Sequence, residues 1–507
     1  MYIFVIIAQF FVECKDTIPP KKYKFPREVC TIFLSVIYYK GMKSSRHGQD
    51  KFTYMTQTPV KKLVGTLAVP TMISMLVTSI YNLADTYFAG QIGTSESAAI
   101  GIALPLMAII QALGFMFGHG SGNYISRLLG SHRGQEADRV ASVGFFSAFI
   151  AGGVLGALGL IFLSPFVRLL GATETSFELS KDYIGIVLIG TPFMMSSLVL
   201  NNQLRFQGSA FYAMAGIVSG AVLNIALDPI FMFACHMGVA GAALATVISQ
   251  FVGFVLLLIG CSRGENIHIR LRNFRPGLHI YRRIFGGGLP SLCRQGLASV
   301  AAVLLNLAAK PYGDAAIAAM SIVSRITMFA SSALLGFGQG FQPVCGFNYG
   351  AKLYQRVRDA FFFCVRVAAF AFTAISVLGF VFAPQLVTLF RDDPEVIKIG
   401  ALALRMQCVS FPFMAWLIPS NMLLQTIGKT FKASVVSLAR QGLCFLPFIL
   451  VLPRFYGILG IQLSQPVADV LSVAIAVPLT ITVLRELKRL QIQEKQKGET
   501  MKNQDSI

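Results

Sequence analysis

The chain has 507 residues, of which 55% are hydrophobic and only 13% charged, against roughly 25% charged residues in ordinary soluble domains. The apolar residues gather in long blocks, which excludes a soluble fold and points to an all-α polytopic protein embedded in a lipid bilayer. The net charge of +20 is of the kind that basic membrane-flanking loops supply, so it gives no case for a nucleic-acid partner.

Residues 1–54 differ in pattern from the rest of the chain. The apolar runs MYIFVIIAQFFV and TIFLSVIYY are both shorter than the roughly 20 residues of a bilayer crossing. No basic segment precedes the first run, as a signal peptide would require. The segment reads as a mis-called upstream extension, or as a peripheral piece.

From Val64 onward the apolar blocks recur regularly. Spans are expected near 64–90, 98–121, 140–164, 183–206, 212–235 and 238–261. After a basic loop they resume near 284–310, 315–342, 359–383, 397–426, 433–453 and 457–484. The last residues, 486–507, read as a charged, mobile tail. Lys61, Lys62, Arg127, Arg133, Arg139, Arg205, Lys352, Arg356, Lys429 and the 262–283 loop fall on one side. The positive-inside rule then places both termini in the cytoplasm.

An internal repeat divides the chain. Pro70 recurs as Pro290, 220 residues later, and the same offset relates Gly120 to Gly340, Gly130 to Gly350 and Asn201 to Asn421. One ungapped register makes two copies of a six-span unit, 55–265 and 266–485. Two such halves, related by an axis along the membrane normal, favour two lobes rocking about a central cavity. A channel built from one chain is the competing use of that symmetry.

The polar chemistry inside the spans is sparse. LNIALDPIF puts Asn224 and Asp228 one helical turn apart, followed by Pro229. A carboxylate within a span faces protein or water and is a functional candidate, and proline kinks its helix. Counting along the spans brings Asp85 and Thr246 to a similar depth, with Tyr81 one turn before Asp85. Two carboxylates, an amide and a hydroxyl are hard oxygen ligands, suited to Na+ or to shared protons. Asp85 ending its helix near water, and Asp228 satisfying a neighbouring backbone, are the plainer alternatives. Asp469, in the second half, reads as a polar site or as the partner of an arginine, and Arg294 lies a turn into span seven. Met194, Met195, Phe206, Met414 and Met422 are candidates for an adaptable apolar substrate cavity, with Arg294 as a further candidate lining residue. The chain shows no HExxH, Walker A or GxSxG setting, so neither an enzyme nor a cofactor is expected. The scattered cysteines imply no disulfide framework or zinc site.

LAVPTMISMLVTSIYNLADTYFAG, GFGQGFQPVCGFNYGA and LNIALDPIF followed by GVAGAALAT resemble helices of the multidrug and toxic compound extrusion (MATE) family. The resemblance spans roughly residues 55–485 and is similar in detail to its DinF-like branch. It implies cation-coupled export of organic, often cationic, amphiphilic compounds by a protein functional as a monomer in the cell membrane. It also implies a coupling-ion site at Asp85, Asn224, Asp228 and Thr246, a bending proline at Pro70, and supporting polar positions at Tyr81 and Asn201. Span seven carries Arg294 and Gln295 where other branches have an acid. A lipid-linked oligosaccharide flippase of the same superfamily is the related alternative.

Overall fold

The computed structural model of the chain describes residues 51–92, 94–263 and 266–504, without the side chains of 83–87, 89, 90, 92, 94, 97 and 497–504. Among the described residues there is no strand, and twelve helices are long and apolar enough to cross a membrane. They are α1 (Val60–Ile92), α2 (Thr94–Gly130), α3 (Gly134–Ile161), α4 (Phe177–Phe206), α5 (Ala210–Ala234) and α6 (Gly238–Ser262). The second half supplies α7 (Leu278–Ala309), α8 (Asp314–Gly350), α9 (Tyr354–Val381), α10 (Pro394–Thr426), α11 (Thr430–Tyr456) and α12 (Ile458–Gln504). The chain is therefore a multi-pass membrane protein, helical because backbone polar groups in lipid must be satisfied within the segment. Hydroxyl side chains follow the same rule: on α1, Ser74 donates to the carbonyl of Pro70 (2.9 Å) and Thr78 to that of Ser74 (2.8 Å).

Two hydrophobic cores correspond to the two halves. One joins α2, α3, α4 and α6 around Leu106, Ile125, Val187 and Leu204. The other joins α8, α9, α10 and α12 around Phe341, Phe361, Phe411 and Val483. The first helix of each half is shared between them. Leu63, Val64, Leu67 and Ala68 at the start of α1 belong to the second core. Ile280 and Ile284 at the start of α7 belong to the first. Each half thus grips the other at the end that carries the basic loops.

The repeated glycines explain how backbones meet there. A Cβ on Gly120 would run into the carbonyl of Ile284, and one on Gly340 into Ala68. Gly288 meets the Met116 backbone in the same way. Thr71 donates across the junction to the carbonyl of Gly336 at 2.7 Å, and Thr426 to Asn123 Oδ1 at 2.9 Å.

Several expectations need correction. The helices run past the apolar blocks: α2 reaches Gly130 and α8 reaches Gly350. Stretches such as GFGQGFQPVCGFNYG stay helical because their small residues pack against the opposite half rather than against lipid. The tail expected to be mobile continues α12 instead, through a run rich in helix formers. It is tied down by Lys429 to Glu486 (2.6 Å) and Lys352 to Glu494 (3.1 Å). The boundary at residue 54 also moves, because Lys51–Gln57 is a helix. Lys51 Nζ reaches Asn266 Oδ1 at 3.0 Å, and Met55, 1% exposed, accepts at its carbonyl from Asn348 Nδ2 at 3.2 Å. Residues 1–50 lie outside the described residues.

Candidate functional site

The helix α5 owes its shape to Pro229. Its α-helical part ends at that residue, and a π-helical turn, Ile230–Ala234, follows. Proline cannot donate to the i−4 carbonyl, and π turns take up such breaks. Just before the break, Asp228, and Asn224 one turn earlier, are buried in the first half, 0% and 2% exposed. Asn224 Nδ2 donates to Asp228 Oδ1 at 3.2 Å and, at 3.4 Å, to Thr246 Oγ1 on α6. With the amide nitrogen so engaged, Asn224 Oδ1 is buried without a hydrogen-bond partner. Ser249, one turn beyond Thr246, is also buried with an unpartnered hydroxyl. The arrangement offers carboxylate, amide and hydroxyl oxygens in one dry place, which suits a small hard cation or a proton. No group of three or more His, Cys, Asp or Glu able to hold a metal exists among the described residues, so the donors here are oxygens of mixed type.

Three of the four residues expected at this site are therefore together. The fourth, Asp85, lies in α1, which packs along α5, but its side chain is outside the described residues. Tyr81 is half-buried one turn before it. Asn201, expected as a supporting polar position, ties two helices together. Its Nδ2 donates to the carbonyl of Ala213 (2.9 Å), clipping α4 to α5, and Asn421 repeats this in the second half on Ala433 (3.2 Å). Pro70 lies within α1 beside the Thr71 and Ala68 contacts to α8.

Met194, Met195, Phe206, Met414 and Met422 are buried. They are 6%, 0%, 0%, 3% and 3% exposed. Met194 and Met195 fill the first core, and Met414 and Met422 the second. Their apolar bulk is consumed by packing within each half. Phe206 lies under Gly122 and against the edge of His119.

The second half holds a different buried acid. Asp469 on α12 is fully buried. Its Oδ1 accepts from Arg440 Nε (2.8 Å) and Gln465 Nε2 (2.9 Å), and its Oδ2 from Gln407 Nε2 (2.8 Å) and Ser410 Oγ (3.1 Å). Of the two readings of Asp469, the arginine partner is the one present. Sequence reasoning missed a buried group between the halves. Arg205, counted there among basic loop residues, is 2% exposed and bonds to Gln339, His119 and Asn202. The polar run Asn201-Asn202-Gln203 just before it, inside an apolar span, was the available signal.

The MatE family model matches this chain twice, at residues 70–230 and 290–451, once in each half. The chain belongs to the MatE family. Together the two matches cover more than half of its length. Among similar proteins is the multidrug export protein MepA of Staphylococcus haemolyticus (strain JCSC1435), 27% identical over 440 residues, 86% of this chain and 97% of that one. MepA of Staphylococcus aureus (strain MSSA476) is 26% identical over 439 residues, with the same coverage. A crystal structure of MATE in complex with MaL6 superposes with a TM-score of 0.83 at 27% identity, covering 87% of this chain and 100% of that one. A MATE family transporter in an outward-facing conformation gives 0.83 at 27% identity, covering 87% and 99%. These relatives are named as exporters, and this MatE protein is accordingly a transporter rather than an enzyme.

Proposed function

We propose that this MatE protein exports small amphiphilic compounds by alternating access, driven by H+ or Na+ entering at the site of Asp228, Asn224, Thr246 and Asp85. The resemblance to the DinF-like branch adds that such compounds are often cationic. The relatives named as multidrug exporters support the transport class. The observation that carries the coupling site is the buried Asn224–Asp228–Thr246 cluster, with the free acceptor of Asn224 at its centre. An ion bound there would change how α5 and α6 pack on α1, and α1 also grips the second half. Ion and substrate then compete through lobe position, a coupling of about 1–3 kcal/mol in each direction. The protein would work as a monomer in the cell membrane with both termini cytoplasmic, as the basic loops suggest.

The test is ethidium transport in proteoliposomes under imposed proton or sodium gradients. Wild-type transport should follow one gradient and stop when both are collapsed. Asp228→Asn should insert normally and lose transport at least a hundredfold. Undiminished transport by that variant refutes the site, and wild-type flux without any gradient refutes coupling.

A further inference from the structure

Three guanidinium groups, Arg205 on α4, Arg294 on α7 and Arg440 on α11, act on one another electrostatically. Arg294 on α7 repels Arg205 on α4 and His119 on α2, and is itself repelled by Arg440 on α11. Among the described residues, one acid pairs with a member of this series. Asp469 holds Arg440 and already accepts from four donors, so no acceptor is left for a second arginine. Arg205 has neutral partners throughout: Gln339 Oε1, Asn202 Oδ1 (2.6 Å) and His119 Nε2 (3.2 Å). A guanidinium only donates, so His119 Nε2 accepts and the imidazole is uncharged. Arg205 Nε is buried with no partner at all. Arg294 is half-buried and makes no hydrogen bond or ion pair with any described residue. An uncompensated charge held inside a membrane protein is expensive unless something neutralises it.

We propose that Arg294, backed by Arg205, forms a subsite for an oxyanion, a carboxylate, phosphate or sulfonate carried by the transported molecule. The planar fork of arginine matches the two oxygens of such a group. Arg294 is the accessible contact, because it is partly exposed, while the buried Arg205 adds positive field. Arg205 also bonds Gln339 on α8, so it links the first half to the second. The ligands this selects are anionic or zwitterionic amphiphiles, which extends the compound class beyond simple organic cations. Binding at this subsite rests on the transport reading above but not on ion coupling at Asp228.

The experiment is equilibrium binding to the purified full-length protein in neutral detergent, with no gradient, read by the polarisation of carboxyfluorescein. Saturable binding is expected, weakened at least tenfold by Arg294→Gln and less by Arg294→Lys, with both variants eluting as the wild type does on size exclusion. Tetraphenylphosphonium should displace the dye poorly. Displacement by cholate but not by inorganic phosphate identifies an oxyanion carried on an amphiphile. Displacement by phosphate as well identifies recognition of the free ion at the same subsite. No saturable dye binding to the wild type, or equal affinity in Arg294→Gln, overturns the proposal. Because no gradient is applied, failure here is distinct from failure of coupling at Asp228.

Discussion

Asp228 and Asp469 are the two fully buried carboxylates among the described residues, and their surroundings set them apart. Around Asp469 both oxygens are filled, and a guanidinium balances the charge. Such a group is structural in character, because removing its partner leaves an uncompensated buried charge. Arg440→Met should therefore destabilise the protein by about 3–5 kcal/mol. The double variant Arg440→Met with Asp469→Leu should recover most of that loss. Thermal unfolding of the two in detergent checks this, and equal melting points would show that the pair contributes nothing. Beside Asp228 the amide of Asn224 donates at 3.2 Å to its Oδ1 and at 3.4 Å to Thr246, and Asn224 Oδ1 keeps a buried acceptor without a partner. An open oxygen acceptor next to a buried carboxylate is what a site for a transient ion requires.

At the scale of helices, α1 and α7 are the shared elements, and their partners are bare of side chain where they touch. Gly340 on α8 receives Ala68, and Gly120 on α2 receives Ile284. Filling a tight junction typically costs about 1–3 kcal/mol even where side chains can shift, and here the obstacle is backbone. Gly340→Leu should hold α8 away from α1. Cys345, fully buried on the same helix, should then react with a maleimide in a variant keeping it as the sole cysteine. Unchanged protection of Cys345 would mean that the junction tolerates the side chain. The same geometry explains the run Gly286–Gly288. They start α7 where it lies against Met116, Gly120 and Thr430.

For the whole molecule, alternating access demands that the junction between halves break and re-form. The hydroxyls of Ser79 on α1 and Ser332 on α8 meet at 2.7 Å across it. A cysteine pair at these positions is close enough for a disulfide, whose sulfurs stand about 2.0 Å apart. Oxidised Ser79→Cys with Ser332→Cys should stop ethidium transport in proteoliposomes, and reduction should restore it. Transport that continues in the cross-linked protein would mean that α1 and α8 need not separate.

Much of this was legible along the chain, because in a bilayer local pattern carries global information. Block length gave twelve helices, and the 220-residue register gave two halves. A carboxylate and an amide one turn apart gave Asp228 and Asn224, since helical spacing alone puts them on one face. Tertiary structure decided what spacing cannot state. The methionines and Phe206 went to the cores because apolar side chains look alike in sequence whether they face a cavity or a neighbour. Asn201 became a clip because its acceptor is the backbone of another helix, which no motif records. Arg205 was taken from the loop to the junction, and Arg294 was left without an acid, by helices distant in the chain. Sequence determined which segments cross the membrane, since that is a contest between residue and solvent. The fold alone decided which charges meet, since that is a matter of distance between segments.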